Sequence, residues 1–465
     1  MAVDYDLVVI GNSPEGRYAA AQAAQFHARV ALVEQSILAP HHSYSQAIYS
    51  HTLATHIHHC LYPESFPHQW AQEVISHLQE QCSPTVLASL GVDVITGVGE
   101  FCRLPQQALV VNQRRLRSRA YLLATSSHFT PPNLPEIEQV GYLTLEDVAQ
   151  KLETQSLPNK LVIVGSTPLA IELAQSLRCL SKEITLVVEN QPILPTEDTE
   201  VAFLIQACLE AQGIVLITNS GVTQVKKINH TKWLQVGNRA LETEEIIWIG
   251  NKQPNVAGLN LEGVGVKWVQ NGVAVNSKLQ TTNPQIYACG DLTGGYQFTH
   301  IAQHEANLAL KNALFWPIFT VNYQSIPWVI FSQPNLARVG MTESQARHRY
   351  GNDVIVVRKY VKNLPSALLQ GQTTGLCKLI VRRNGAILGA HMVSQNAGEV
   401  ISAIAVAMKQ KIKLGQLADV IFATPTWSEM IKQIAQDWRK QRWQRHKNLR
   451  NCLENWFDWQ RDWTN

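Results

Sequence analysis

Nothing in this 465-residue chain sets two cysteines at redox-pair or metal-site spacing. The eight, at positions 60, 82, 102, 179, 208, 289, 377 and 452, are scattered, so they read as reduced thiols in a cytoplasmic protein. An excess of one charge is also missing. Thirty-nine Lys/Arg against 36 Asp/Glu leave +3, too little and too dispersed to argue for a nucleic-acid partner. No apolar run reaches about 18 residues, so no membrane-spanning helix is expected. The opening MAVDYDLVVIG enters a strand pattern without a basic region and apolar core, so no secretory signal is expected. What is present, 45% apolar and 16% charged residues, suits two or three globular domains with large cores.

Residues 6–10 form a short continuous apolar run, as a buried parallel strand does, and GNSPEGRYAAAQAAQ then turns helical. Gly11 and Gly16 hold the outer positions of a G-x-G-x-x-G turn, with Ser13 at the middle one. A second strand, ARVALVE, ends in Glu34, 23 residues after Gly11. That spacing sets a carboxylate where it accepts from a ribose hydroxyl while the helix N-terminus holds a pyrophosphate. The arrangement recurs: KLVIV, then GSTPLAIELAQSLRCL, then ITLVVE ending in Glu189, 24 residues after Gly165. Two such βαβ units predict two dinucleotide sites far more strongly than either does alone.

YLLATS, residues 121–126 with Ala124 and Thr125, is similar to the chain-crossing strand of FAD proteins. TTNPQIYACGDLTGG, residues 281–295, resembles their second FAD motif, with Asp291 at the position that contacts the ribityl and pyrophosphate region. IPWVIFSQPNLARVGMTE, residues 326–343, looks like the opening of a dimerisation domain. Taken in order, over roughly residues 5–437, these stretches resemble the class I pyridine nucleotide-disulfide oxidoreductases. Within that family the likeness is to the mercuric reductase, dihydrolipoamide dehydrogenase and soluble transhydrogenase branches. The resemblance implies an α/β fold: two Rossmann-like dinucleotide-binding domains, for FAD and NAD, plus an α+β C-terminal dimerisation domain. The expected boundaries are 1–150 with 274–324 for FAD, 151–273 for NAD(P), 325–438 for the homodimer interface and 439–465 for an extension. Gly11, Ser13, Gly16, Glu34, Ala124, Thr125, Asp291 and Ala302 are then expected at FAD, and Gly165 and Glu189 at NAD.

The same resemblance exposes departures. In the stretch Glu34–Thr52, His42 and Ala47 fall on the family's redox-active Cys-x-x-x-x-Cys pair, and His51 falls on the lysine that pairs with a glutamate near flavin N5. Cys60 lies about 20 Å further along an expected helix, too far to substitute. Thr424, in ATPTWSE, stands at the histidine that serves the dithiol as acid/base, and threonine does not titrate near neutrality. The dithiol half-reaction is missing as a unit. Glu172 keeps the glutamate position and, with His51, is the expected catalytic pair, an imidazole making N5 pH-sensitive.

Glu189 disfavours a 2′-phosphate, so NADH is expected over NADPH. Thr167, Ala170, Asn251 and Lys252, by contrast, add side chains where a pyrophosphate approaches closely. His41, His42, His51, His56, His58 and His59 crowd one segment, but no Asp or Glu occurs from Ser36 through Pro63, so no metal site is expected. Beyond Trp438, RKQRWQRHKNLR carries six Lys/Arg and no acid, and NCLENWFDWQRDWTN follows with Leu449, Cys452, Leu453, Trp456 and Phe457 at helical spacing. Such a tail suits an anionic membrane surface, a protein partner or added packing on the dimer. The expected function is an FAD-dependent NAD(P)H oxidoreductase without disulfide chemistry, passing electrons to a small acceptor of quinone, dye or metal type. The alternatives are a pyridine nucleotide transhydrogenase and a flavin-binding interaction protein with weak turnover.

Overall fold

The computed structural model describes residues 3–35, 66–130, 132–229, 231–445 and 447–463. His42, Ala47, His51 and the rest of the histidine-rich segment lie outside the described residues. The chain forms two compact units, residues 1–191 with 212–322, and residues 192–211 with 323–465.

The first unit holds two parallel sheets. In one, strands β1 (Tyr5–Ile10), β2 (Val30–Glu34), β3 (Val92–Thr96), β4 (Ser118–Leu123) and a later strand, Ile286–Ala288, pair in the order Ile286–Ala288, β4, β1, β2, β3. All four pairings are parallel. The apolar strands are buried on both faces because each face meets its own core. Val8, Ile10, Ala31 and Val33 enter one cluster. Leu7, Val9, Val30 and Leu32 enter another, shared with Ala19, Ala20 and Ala23 of helix α1 (Pro14–Gln25) and with Ala306, Ala309 and Leu310 of the helix Thr299–Leu314. Alanines on both helices let their backbones approach closely. The chain runs outward from β1 to β2 on one side and crosses to β4 on the other, which opens a crevice at the carboxyl ends of β1 and β4.

The second parallel sheet repeats the plan. Strands Lys160–Val164, Glu183–Val188, Val215–Thr218 and Glu245–Trp248 pair so that Lys160–Val164 lies between Glu183–Val188 and Glu245–Trp248. The helix Pro168–Cys179 follows its first strand.

The second unit is built on an antiparallel five-stranded sheet: Pro327–Ile330, Asn335–Gly340, Ile387–Ser394, Leu376–Arg382 and Val354–Tyr360, in that spatial order. Its register aligns Arg338 with His391 and His391 with Lys378, so three basic side chains form a row across three strands. All three are buried. The segment 192–211 and Glu343 supply the compensating acids. Lys378 Nζ lies 2.7 Å from Asp198 Oδ1 and 2.8 Å from Glu343 Oε2. Arg338 Nη1 donates to Thr196 O at 2.6 Å and lies 3.5 Å from Glu197 Oε2, with its guanidinium 4.6 Å over the Trp328 ring. Burial, with Arg338 beside it, pushes His391 down to about 4, so it stays neutral between two cations.

Removing one partner from such a network strands buried charge, which costs far more than the intact pair contributes. Lys378→Met is therefore expected to lower the stability of the second unit by roughly 3–5 kcal/mol. Urea unfolding followed by tryptophan fluorescence measures it, and a loss under about 1 kcal/mol would show that Asp198 and Glu343 find other partners.

Candidate functional site

Residues expected at FAD from five separate stretches meet at the first crevice. Gly11 follows β1 directly with φ +111, and a Cβ there would lie 2.2 Å from the carbonyl oxygen of Ala124. The Ala124 amide donates to Ile10 O at 2.8 Å, which fixes the turn against the carboxyl end of β4. Ser13 caps α1 by accepting from the Gly16 amide at 3.3 Å, and Pro14 starts the helix where a missing N–H is harmless. A Cβ on Gly16 would meet Gly11 O at 2.8 Å. Thr125 donates its hydroxyl to Asn255 O at 2.7 Å, and Asn255 Nδ2 returns a bond to Thr125 O at 2.9 Å. Asp291 sits in the tight turn after Ile286–Ala288, and the Ala302 Cβ would lie 3.2 Å from a Cβ on Gly290. Glu34 ends β2, where its Oε1 accepts from Arg17 Nη2 at 2.7 Å.

Three carboxylates crowd this crevice: Glu15, Asp291 and Glu305, all buried. Glu305 Oε2 accepts from the Gly290 amide at 2.8 Å, and a Cβ on Gly290 would fall 2.6 Å from Glu15 Oε1. Burial, then the charge of Asp291, pushes the Glu15 carboxyl up to about 7. Its own amide and the Ser13 hydroxyl pull it back, and Glu305 adds a smaller upward push. Asp291 keeps a counterion, since its Oδ2 accepts from Lys252 Nζ at 2.8 Å and from Ser127 Oγ at 3.4 Å. The strand Lys252–Pro254 pairs antiparallel with Ser127–Phe129, and this swings Lys252 to Asp291, its Nζ lying 5.4 Å over the Phe129 ring. Sequence reading treated Lys252 only as bulk at the nucleotide turn and passed over Glu15, Glu305 and Arg17. For Glu15 the one signal was a long acidic side chain inside a glycine turn.

The second crevice has the same construction. A Cβ on Gly165 would lie 2.2 Å from Ile249 O, and the Ile249 amide donates to Val164 O at 2.8 Å. Thr167 caps its helix by accepting from the Ala170 amide at 3.4 Å, again before a proline. Glu189 follows its strand directly and is exposed, whereas Glu172 is buried on the helix. In each turn the capping hydroxyl occupies an amide and the proline removes another, so fewer N–H donors face outward than in an all-glycine turn.

In the second unit the Thr424–Pro425 bond is cis, and the Thr424 hydroxyl donates to the Glu429 carboxylate. Among the described residues no two cysteines are joined. Burial pushes the Cys377 thiol up to about 12 and that of Cys289 well above its ordinary value, so neither is an activated thiolate. No group of three metal-ligating side chains occurs among the described residues.

Glu15 has a folded-state pKa above that of an unfolded glutamate, near 4.5. Its stabilising contribution is therefore complete below about pH 4.5 and is lost as the pH rises through about 7. Glu15→Gln is expected to stabilise the protein against urea by about 2–3 kcal/mol more at pH 8 than at pH 4.5. An equal effect at both pH values would show that the carboxyl ionises normally.

Residues 5–306 match the pyridine nucleotide-disulphide oxidoreductase family, and residues 326–435 match its dimerisation domain, which supports a homodimer. A mercuric reductase of Bacillus cereus is 30% identical over 451 residues, covering 92% of this chain and 70% of that protein. RclA of Escherichia coli, a probable pyridine nucleotide-disulfide oxidoreductase, is 28% identical over 449 residues, covering 92% of this chain and 98% of its own length. The copper(II) complex of RclA, titled an HOCl-induced flavoprotein disulfide reductase, superposes with a TM-score of 0.84 at 27% identity, over 94% of this chain and 99% of that one. The likeness covers both units and both nucleotide turns: the chain belongs to the pyridine nucleotide-disulphide oxidoreductase family of FAD-dependent, NAD(P)H-linked flavoproteins.

Proposed function

We propose that this chain is an FAD-dependent NAD(P)H oxidoreductase that has given up disulfide chemistry and passes electrons to a small acceptor of quinone, dye or metal type. The observation that carries this reading is the Thr424–Glu429 bond. Where relatives carry a histidine that takes a proton from a thiol, this chain has a hydroxyl that cannot titrate near neutrality, and it is tied to the carboxylate that would have oriented the base. By the family resemblance, His42 and Ala47 fall at the positions of the cysteine pair.

The first crevice fits FAD. Gly11, Ser13 and Gly16 would hold the diphosphate on the helix N-terminus, with Ala124, Thr125 and Ala302 lining it. Asp291 and Glu34 would accept from ribityl and ribose hydroxyls. Asp291 arrives already neutralised by Lys252, so a carboxylate beside the diphosphate does not repel it. A protonated Glu15 serves the same end. When bound, FAD supplies an acceptor for the nicotinamide hydride and a donor of those electrons to the second substrate. Gly165 would hold the nicotinamide cofactor, and Glu189 favours NADH by disfavouring a 2′-phosphate. Glu172 and His51 would flank the reacting ring. In this reading residues 1–150 and 274–324 carry FAD, 151–273 carry NAD(H), 325–438 form the interface and 439–465 are a basic, aromatic C-terminal extension.

Anaerobic stopped-flow mixing with NADH is expected to bleach the oxidised flavin within milliseconds to seconds. Turnover with lipoamide should stay at background in the wild type and in Thr424→His, because a base without thiols has no proton to move. Lipoamide turnover above background would contradict the reading, and a flavin that NADH leaves oxidised would reduce the chain to a binding protein.

A further inference from the structure

Residues 439–463 hold a surface that the flavin chemistry does not use. Residues 439–463 carry seven Lys/Arg and three acids, a net +4 that exceeds the +3 of the whole chain. The charge absent from the rest of the molecule is concentrated here. Two helices build the segment, Glu429–Arg445 and Lys447–Trp463. On the second, Trp456, Trp459 and Trp463 recur at three- and four-residue spacing and stack, with ring centroids 5.2 Å apart in both pairs. Glu454, Asp458 and Asp462 recur at four-residue spacing on the opposite side, where Asp458 pairs with Arg461. The helix is thus divided lengthwise into an aromatic and a charged half.

Among the described residues nothing covers the aromatic half. From Asn451 to Trp463 every residue is exposed except half-buried Leu453, and Trp463 is 79% exposed. Lys440, Arg442 and Trp443, on the preceding helix, are exposed too, so basic and aromatic groups continue across the junction. Among the described residues no helix is long and apolar enough to cross a bilayer.

We infer that residues 439–463 bind the surface of an anionic lipid bilayer, the second helix lying in the interface with its tryptophans at headgroup depth and the basic stretch against the lipid phosphates. Charge selects this occupant over a second copy of the chain, because two +4 segments repel while an anionic surface attracts both. Indole suits the same place, being apolar in body and polar at its N–H. An amphipathic helix binds there through buried apolar area plus attraction to anionic lipid.

The inference stands independently of the flavin chemistry and is tested on the full-length protein by co-sedimentation with vesicles. Phosphatidylglycerol/phosphatidylcholine vesicles are expected to bind it at least tenfold more tightly than pure phosphatidylcholine, and 0.5 M salt should remove most of the difference. Each basic side chain at an anionic surface is worth about fivefold in affinity. Lys440→Gln with Arg442→Gln is therefore expected to weaken binding roughly 25-fold, with flavin content and dimer mass unchanged. The triple variant Trp456→Ala, Trp459→Ala, Trp463→Ala should lose at least tenfold on the same vesicles. Equal binding to both vesicle types, or to neither, overturns the inference. So does a triple variant that dissociates into monomers, because the aromatic face would then be covering a second copy. Should the triple variant fail to fold, the wild-type salt dependence and the charge variant still decide.

Discussion

Backbone pressed on backbone, with no room for a Cβ, is the constraint from which the rest of this molecule follows. Gly11 lies against the Ala124 carbonyl, and Gly165 lies against the Ile249 carbonyl, at the same place in two parallel sheets. The close approach brings each helix N-terminus to the edge of a crevice, and the crevice is where chain crossing leaves space between strand ends. An alanine at either glycine would push the strand ends apart and lose both the packing and the phosphate cradle. Duplication of this one contact gives the layered α/β unit two crevices of the same construction.

Charge decides how the first crevice is used. Glu15, Asp291 and Glu305 bring three carboxyls to a place suited to a diphosphate, which would be prohibitive if all were ionised and unpaired. Lys252 neutralises Asp291, the Gly290 amide satisfies Glu305, and burial keeps a proton on Glu15 up to about neutrality. The second unit solves a related problem with opposite signs. Its row of Arg338, His391 and Lys378 is balanced by acids from residues 197–200 and by Glu343, and His391 is held neutral. The buried acids and bases of these two clusters are paired or neutralised, whereas residues 439–463 carry a net +4.

The nucleotide turns were legible in the sequence because their signals are local. Gly11 with Ser13 and Pro14, and Gly165 with Thr167 and Pro168, spell out a turn and a capped helix within six residues, and strand length then sets where Glu34 ends. The sequence expectation for Thr424 rests on equally local signals, the Pro-Thr and Glu429 that flank it, and its role stays with the proposal. What the sequence hid was long-range. A glutamate in a first helical turn reads as an ordinary complement to the helix dipole, and nothing near Glu15 reveals that Asp291 and Glu305 arrive from the far end of the unit. Lys252 was misread because its role is set by strand pairing with Ser127–Phe129. The tail was read through Leu449, Cys452, Leu453, Trp456 and Phe457, whereas the stacked rings are Trp456, Trp459 and Trp463. The histidine-rich segment and His51 lie outside the described residues, so their expected roles stay with the proposal.

The central claim is that electrons reach a flavin in this protein and find no sulfur beyond it. Anaerobic reductive titration counts them directly, because a flavin accepts two electrons and a redox-active disulfide beside it accepts two more. The account predicts full reduction at two electrons per bound flavin, with no long-wavelength thiolate–flavin band on the way. Uptake of four electrons per flavin would contradict it.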